Sequence, residues 1–380
     1  MPNFDFCRTH FAGGLWALPC PWPGCPYGHD GDVYIDKRSG LADVEFRREF
    51  FIGIDDEPRF FWISPNQSYG WAIRSMVRAE QLRLARPDQG QIYHYTSLES
   101  FRGIIESEDL WLTESAFMND ASEIEHGITL AREVFDPIAT NGSPIADVLR
   151  GLSSITVAER PRINLACFST ARDNLSQWRA YSGNTVGVAL GFTPESLMRG
   201  LGYPSECTVT PVLYSDAQKR ALLDCFARFF SEAYRRDSQR KISVRQRDAS
   251  SREFYPTDGY ATSLRGVFFE LVACCKDAAF ADEREIRMVY TEYKEIFDSI
   301  GLQPAARRFR QADGFLAPYT TVADIREIDE HQKVRSTFPL EEVLVGPHPK
   351  AEVAALSIRQ FLDAHGFADV PVCRSIAPYR

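Results

Sequence analysis

What this 380-residue chain lacks narrows its function first. It has no long apolar run: its richest stretch, "GVFFELVACC", is about half the length of a membrane span, so no membrane partner is expected. It has no excess of positive charge, because 43 Lys and Arg face 52 Asp and Glu for a net charge of -9. Global electrostatics therefore do not draw it to nucleic acid or anionic lipid, and any such contact needs a local basic patch. The opening residues "MPNFDFCRTHFAGG" lack a basic stretch followed by an apolar one, so no secretory signal is expected. Paired cysteines are missing too. The nine cysteines are an odd number, with Cys7, Cys20 and Cys25 crowded near the start and the rest scattered singly or as the adjacent Cys274 and Cys275. That usage fits reduced thiols and a cytoplasmic location better than a disulfide framework. Internal repeats and low-complexity tracts are absent. What is present, 44% hydrophobic and 12% aromatic residues, is ample for a packed core. Length alone suggests two or three domains.

The first break lies at "LARPDQGQ", residues 84–91, where a polar Pro/Gly stretch follows a helical pattern. It separates a head, residues 1–88, from a body, residues 89–380. In the head, Cys7-x2-His10 and Cys20-x4-Cys25 make two ligand pairs joined by a short aromatic loop, spacing that suits a tetrahedral structural zinc. His29 competes with His10 for the fourth position, and free cysteines in a Pro-rich loop are the plainer alternative. The head shows little hydrophobic periodicity, so a metal staple would help it fold. A small zinc-stapled N-terminal domain is the expectation.

The body is punctuated more clearly. "QIYHYT" alternates, with Ile92, His94 and Thr96 on one face and Tyr93 and Tyr95 on the other. Thr96 and Glu99 read as a capping box for a helix whose Leu98, Phe101, Ile104 and Ile105 share a face. "DLWLT", "INLACFS", "TVGVALGF", "TVTPVLYS", "REIRMVY" and "LEEVLVG" read as strands, and "NLSQWRAYS" as a short helix. A long amphipathic helix places Leu222, Phe226, Phe229, Phe230 and Ala233 on one side. Short strands among mixed helices, without regular βαβ alternation, give the α+β class. After the long helix, Arg235, Arg236, Arg240, Lys241, Arg245 and Arg247 form a basic island. It is either a solvated loop or a platform for an anionic target such as nucleic acid.

Three constellations in the body could share a pocket. His94-Tyr95-Thr96 ends one strand, and a structural histidine beside a capping threonine would look the same. Ser169 and Thr170 end another strand, just before a helix presenting Trp178 and Tyr181, which are either core or a stacking surface for a planar ring. In "EREIR", extended geometry would put Glu283, Glu285 and Arg287 on one face, as a solvated ladder or as a carboxylate kept ionised by a cation. Cleaving a glycosidic bond to a cationic leaving group such as nicotinamide wants such parts: a fixed carboxylate near the ribose, an aromatic wall and a polar grip on the adenosine side.

The blocks "YHYTSLESFRGIIESEDLWLT", "MNDASE", "CFST…NLSQWRAYS…GVALGF", "CKDAAFADEREIRMVY" and "LEEVLVGP" closely resemble a bacterial domain-of-unknown-function family, number twenty-nine seventy-one, over residues 91–348. That family in turn resembles the ADP-ribosyltransferase fold. The resemblance implies a split, mixed or antiparallel β-sheet core with flanking helices, and an enzyme that transfers ADP-ribose from NAD to a protein or nucleic acid. It also implies a bacterial toxin or phage-defence effector, with an antitoxin or regulator as a further partner. Carried over, His94 grips the adenosine ribose, with Tyr95 and Thr96 beside it. Ser169 and Thr170 support the nicotinamide pocket, with Trp178 or Tyr181 as its wall. Glu285 and Glu283 are the catalytic and acceptor-orienting acids, with Arg287 alongside, and Asn119, Asp120 and Glu123 lie at the rim. A histidine first motif combined with E-x-E mixes two subgroups, which leaves the choice between Glu283 and Glu285 open. Two other classes remain: a metal-dependent nuclease or hydrolase using Asp120, Glu123, Glu283 and Glu285, and a non-catalytic nucleotide-binding adaptor.

Overall fold

The computed structural model describes residues 77, 80–85 and 90–378, apart from 119–121, 140–144, 157–158, 182–184, 195, 198–206, 238–241, 246–250, 255–259, 294–303, 313 and 329–337. The expected zinc ligands Cys7, His10, Cys20 and Cys25, with His29, lie outside the described residues, as do Asn119, Asp120, Arg240, Lys241 and Arg247. The chain divides into two compact units, neither continuous in sequence. One takes residues 128–156 and 217–271 with the stretch ending at Leu84; the other takes 85–127, 157–216 and 272–380.

Among the described residues, twelve strands run in chain order as β1 (Ile92–Ser97), β2 (Trp111–Glu114), β3 (Arg162–Ser169), β4 (Gly187–Phe192), β5 (Cys207–Pro211), β6 (Ile242–Arg245), β7 (Ser251–Phe254), β8 (Glu285–Glu292), β9 (Arg308–Ala312), β10 (Phe315–Thr321), β11 (Glu342–Val345) and β12 (Val372–Arg374). All but β6 and β7 build one open sheet in the second unit, in the order β12-β11-β4-β1-β3-β2-β10-β9, with β8 pairing β3 and β5 pairing β8. Every pair is antiparallel except β11 with β12. The α+β class holds, with a mixed and mostly antiparallel sheet.

Strand β3 positions the site. One of its edges is paired by β8 from Arg162 to Ser169. The other edge is shared: β2 takes Asn164 and Leu165, and β1 meets it only at Ser169. Alternation across these ladders sorts the side chains. One face carries Ile92, Phe168, Leu190, Ile286 and Met288, which form the main core with Phe101, Ile104 and Ile105 of helix Leu98–Ser107 and Ile358 and Leu362 of helix Ala351–Ala364. The other carries Tyr93, Tyr95, Ala189 and Leu344, packed on Trp178 of helix Leu175–Tyr181. Ser169, Cys167, Glu285 and Arg287 lie on this second face by register.

Two local expectations are corrected. Helix Leu98–Ser107 is capped by Ser97, whose side chain accepts from the Ser100 N–H at 3.2 Å, not by Thr96. Thr96 instead pairs with Val188 inside the β1–β4 ladder and is buried there, so its hydroxyl is withheld from the helix end. Glu283 is not on a strand with Glu285. It closes a 3₁₀ turn, Ala278–Glu283, and β8 begins only after Arg284.

In the first unit, helix Asp216–Asp237 buries Leu222, Phe226 and Phe230. Phe226 packs against Phe135 and Phe268 with ring centroids 5.9 and 6.2 Å away. Arg235 and Arg236 fall near the end of that helix, and Arg245 ends β6 of the β6–β7 hairpin. Among the described residues, no helix is long and apolar enough to cross a membrane.

Candidate active site

Five charged side chains from three stretches of the second unit meet around β8: Glu123 at the start of helix Ser122–Ala139, Lys276 after helix Tyr260–Val272, and Glu283, Glu285 and Arg287. Arg287 is 1% exposed. Its Nε donates to Glu285 Oε1 at 2.8 Å, and its Nη2 donates to Glu285 Oε2 at 3.0 Å and Glu123 Oε2 at 2.7 Å. Its Nη1 donates to the Ala273 carbonyl. Lys276 Nζ stands 2.6 Å from Glu283 Oε2, 3.1 Å from Glu285 Oε2 and 3.3 Å from Glu123 Oε1. Three carboxylates thus converge on one ammonium, at the point a divalent ion would have to occupy. Among the described residues, the ammonium offsets part of the negative charge of these three carboxylates.

These neighbours decide the charge states. Burial alone would raise the Glu285 carboxyl, but the Arg287 guanidinium, followed by Lys276 and the Cys167 thiol, holds it down at about 2. Burial opposes the charge on Lys276, yet Glu285, Glu123 and Glu283 outweigh it and raise its pKa. Burial, then Glu285, pushes the Cys167 thiol up, so it is a poor nucleophile. Glu285, at 6% exposed, is therefore a fixed anion with both oxygens engaged, not a general base. It does not lie on an exposed face, as the alternation suggested. The Glu283 side chain is 24% exposed and spends only Oε2 on Lys276.

The backbone that presents these acids is pinned at each residue. Arg284, between them, adopts φ 47°, a left-handed conformation that costs a non-glycine residue about 1–3 kcal/mol. That turn lets an acid on the 3₁₀ turn and an acid on the strand reach the same ammonium. The loop after β3 holds it in place. Asn174 Nδ2 donates to the Asp282 carbonyl at 2.8 Å, Ser169 Oγ to the Glu283 carbonyl at 2.6 Å, and the Thr170 N–H to the Arg284 carbonyl at 3.0 Å. The Glu285 N–H donates to the Tyr214 hydroxyl at 2.8 Å. Ser169 and Thr170 thus act on the acids through the backbone.

Two aromatic side chains lie near this charged cluster. Tyr181 is 38% exposed, while its hydroxyl is buried close enough to Cys167, Glu285 and Glu283 for burial and then those groups to push it up. Phe280, also 38% exposed, has its ring centroid 5.0 Å from Lys276 Nζ. Trp178 and Tyr95 are placed differently: both are buried and meet edge to face at 4.6 Å. The Trp178 indole N–H donates to Asp173 at 2.7 Å, and the Tyr95 hydroxyl donates to the Ala171 carbonyl at 2.6 Å. Thr96 is likewise inside the sheet.

His94 lies in the gap where β1 and β2 share the edge of β3. Its Nδ1 bonds the Cys167 carbonyl at 2.8 Å. A carbonyl only accepts, so Nδ1 carries the proton and Nε2 of the neutral ring keeps its lone pair. Burial first, and Arg310 next in the same sense, holds this imidazole below the usual histidine value despite the carbonyl. By ladder register His94 shares a face with Phe168 and Leu190, while Glu285 shares the other with Cys167. Cys167 touches both, its carbonyl on His94 and its thiol on Glu285.

Lys276, Phe280, Tyr214 and Cys167 had no role in the sequence reading. Lys276 sits nine positions before Glu285 in "KDAAFADERE", a spacing that no helix or strand period makes adjacent. Only the intervening turn does so. No curated protein and no solved structure matches the chain. Residues 177–288, which run from before Tyr181 to just past Arg287, match the family described as "Protein of unknown function (DUF2971)".

Proposed function

We propose that this protein is an NAD-dependent ADP-ribosyltransferase acting on a macromolecular acceptor, protein or nucleic acid, as a bacterial toxin or defence effector. The observation that carries the reading is a buried Glu285, ionised at neutral pH, near the partly exposed side chain of Tyr181. Such an anion suits a reaction whose transition state gains positive charge. The bond from the ribose C1′ to the nicotinamide nitrogen breaks, and nicotinamide leaves as a neutral base with both electrons. The oxocarbenium fragment is stabilised by Glu285. A lone pair on the acceptor then forms the new bond to C1′, and the acceptor's proton passes to Glu283 or to water. Tyr181 walls the nicotinamide ring.

The test is incubation of the protein with labelled NAD and a cell lysate, wild type beside Glu285→Gln. Label on a polymer with wild type alone supports transfer; equal labelling with both removes Glu285 from the chemistry. A second reading has its own observation. Both Glu285 oxygens are satisfied within the protein, which also suits a structural clamp inside a non-catalytic nucleotide-binding adaptor. Binding of NAD without release of nicotinamide would favour that reading.

A further inference from the structure

We propose that Lys276 is a positioning residue that aims Glu283 at the acceptor, so that it governs transfer to a macromolecule separately from cleavage of the dinucleotide. The inference rests on the transferase reading above. Its basis is an asymmetry between the two acids of the E-x-E turn.

Glu285 is held twice over: Arg287 binds both of its oxygens, and Lys276 adds a third contact. Its orientation survives the loss of the ammonium. The Glu283 carboxylate has one bond, from Lys276 Nζ to Oε2 at 2.6 Å. That bond engages Oε2 and, among the described residues, leaves Oε1 without a hydrogen bond, on a side chain that is 24% exposed. Lys276 is itself fixed. Its backbone N–H donates to the Leu213 carbonyl at 3.1 Å, its ammonium is anchored on Glu285 and Glu123, and the Phe280 ring lies 5.0 Å away. A compact ammonium suits this place better than a guanidinium, because three carboxylates approach it from different directions and none offers a flat bidentate face. When an acceptor X–H attacks C1′, the X–C1′ bond forms from the lone pair on X, and the X–H proton moves to Oε1 of Glu283, the oxygen that Lys276 does not hold. With water as the acceptor, ordered alignment of a large nucleophile is not required.

The experiment measures two rates on the full-length protein for wild type, Lys276→Met, Lys276→Arg and Glu283→Gln. The rates are release of nicotinamide from NAD without acceptor, and incorporation of label into lysate polymers. Thermal melting checks that each variant is folded. Lys276→Met is expected to lower incorporation by roughly 100-fold or more, the usual weight of a lost general base. Nicotinamide release should keep at least about a tenth of its rate, a barrier change of no more than about 1.4 kcal/mol. Glu283→Gln should reproduce that split, and combining it with Lys276→Met should add little, because the lysine acts through the glutamate. Lys276→Arg should recover part of the incorporation.

If both rates fall together in Lys276→Met while Glu283→Gln splits them, Lys276 is a structural cation and the proposal is overturned, with the transferase reading intact. Should Lys276→Met not fold, Lys276→Arg decides: an unchanged ratio of the two rates overturns the proposal. A wild type that releases no nicotinamide overturns the transferase reading itself, and this inference with it.

Discussion

A carboxylate buried beside a guanidinium and an ammonium contributes to folding only while it is charged. The Glu285 carboxyl is held down at about 2 in the folded chain, below the ordinary carboxyl value of 4.5. Its folded value lies below its unfolded one, so its contribution is present above about 4.5 and is lost as pH falls toward 2. The linked stability is on the order of 3 kcal/mol. Glu285→Gln should therefore be less stable than wild type at neutral pH, and its melting temperature should fall less steeply between pH 4.5 and 2. Parallel melting curves for the two proteins across that range would contradict the burial and pairing described here. At this scale the sequence carried the pair of acids and their cation, because Glu285 and Arg287 keep strand alternation. It could not carry Lys276 or Cys167, whose roles come from a turn and from strand pairing. Nor could it show that Trp178 and Tyr95 spend their polar atoms on Asp173 and Ala171 while Tyr181 stays partly exposed near the acids.

The elements that hold the site depend on close packing of the short helix Leu175–Tyr181 against the sheet. A Cβ on Gly346 would lie 2.8 Å from Cε3 of the Trp178 ring, and Trp178 is buried with no room to retreat. Gly346→Ala is expected to cost about 1–3 kcal/mol through overpacking. Gly151→Ala is the contrast: this mid-helix glycine has nothing within 4 Å of its added Cβ, so the change should stabilise by about 0.5–1 kcal/mol. Urea midpoints for the two variants give the comparison, and equal shifts in the same direction would refute the packing account. Period-two alternation made β1 and β8 legible in the sequence, short apolar runs did so for β3, β4 and β11, and Asn174 marked the helix that follows it. The capping residue was misplaced by one position because Thr96 and Ser97 are equally good caps, and only sheet pairing assigns Thr96 to the strand. The left-handed turn at Arg284 was invisible because nothing in an arginine announces it.

For the whole molecule, the order of short strands and helices made the α+β class legible, but not a division into two units built from alternating stretches of chain. That division depends on contacts between segments far apart in sequence. The zinc proposal concerns Cys7, His10, Cys20 and Cys25, with His29 as the competitor. Metal analysis of the purified protein should find one zinc per chain, and less than stoichiometric zinc after preparation without chelator would end that proposal. The central claim is that an ionised Glu285 near Tyr181 stabilises positive charge on a ribose. The measurement that bears on it most directly is the rate of nicotinamide release from NAD by purified protein, wild type beside a folded Glu285→Gln variant. The account predicts steady release by wild type and a loss of at least about 100-fold in the variant, the scale of removing one fixed electrostatic partner from a transition state. Equal rates in the two proteins, or none in either, would contradict it.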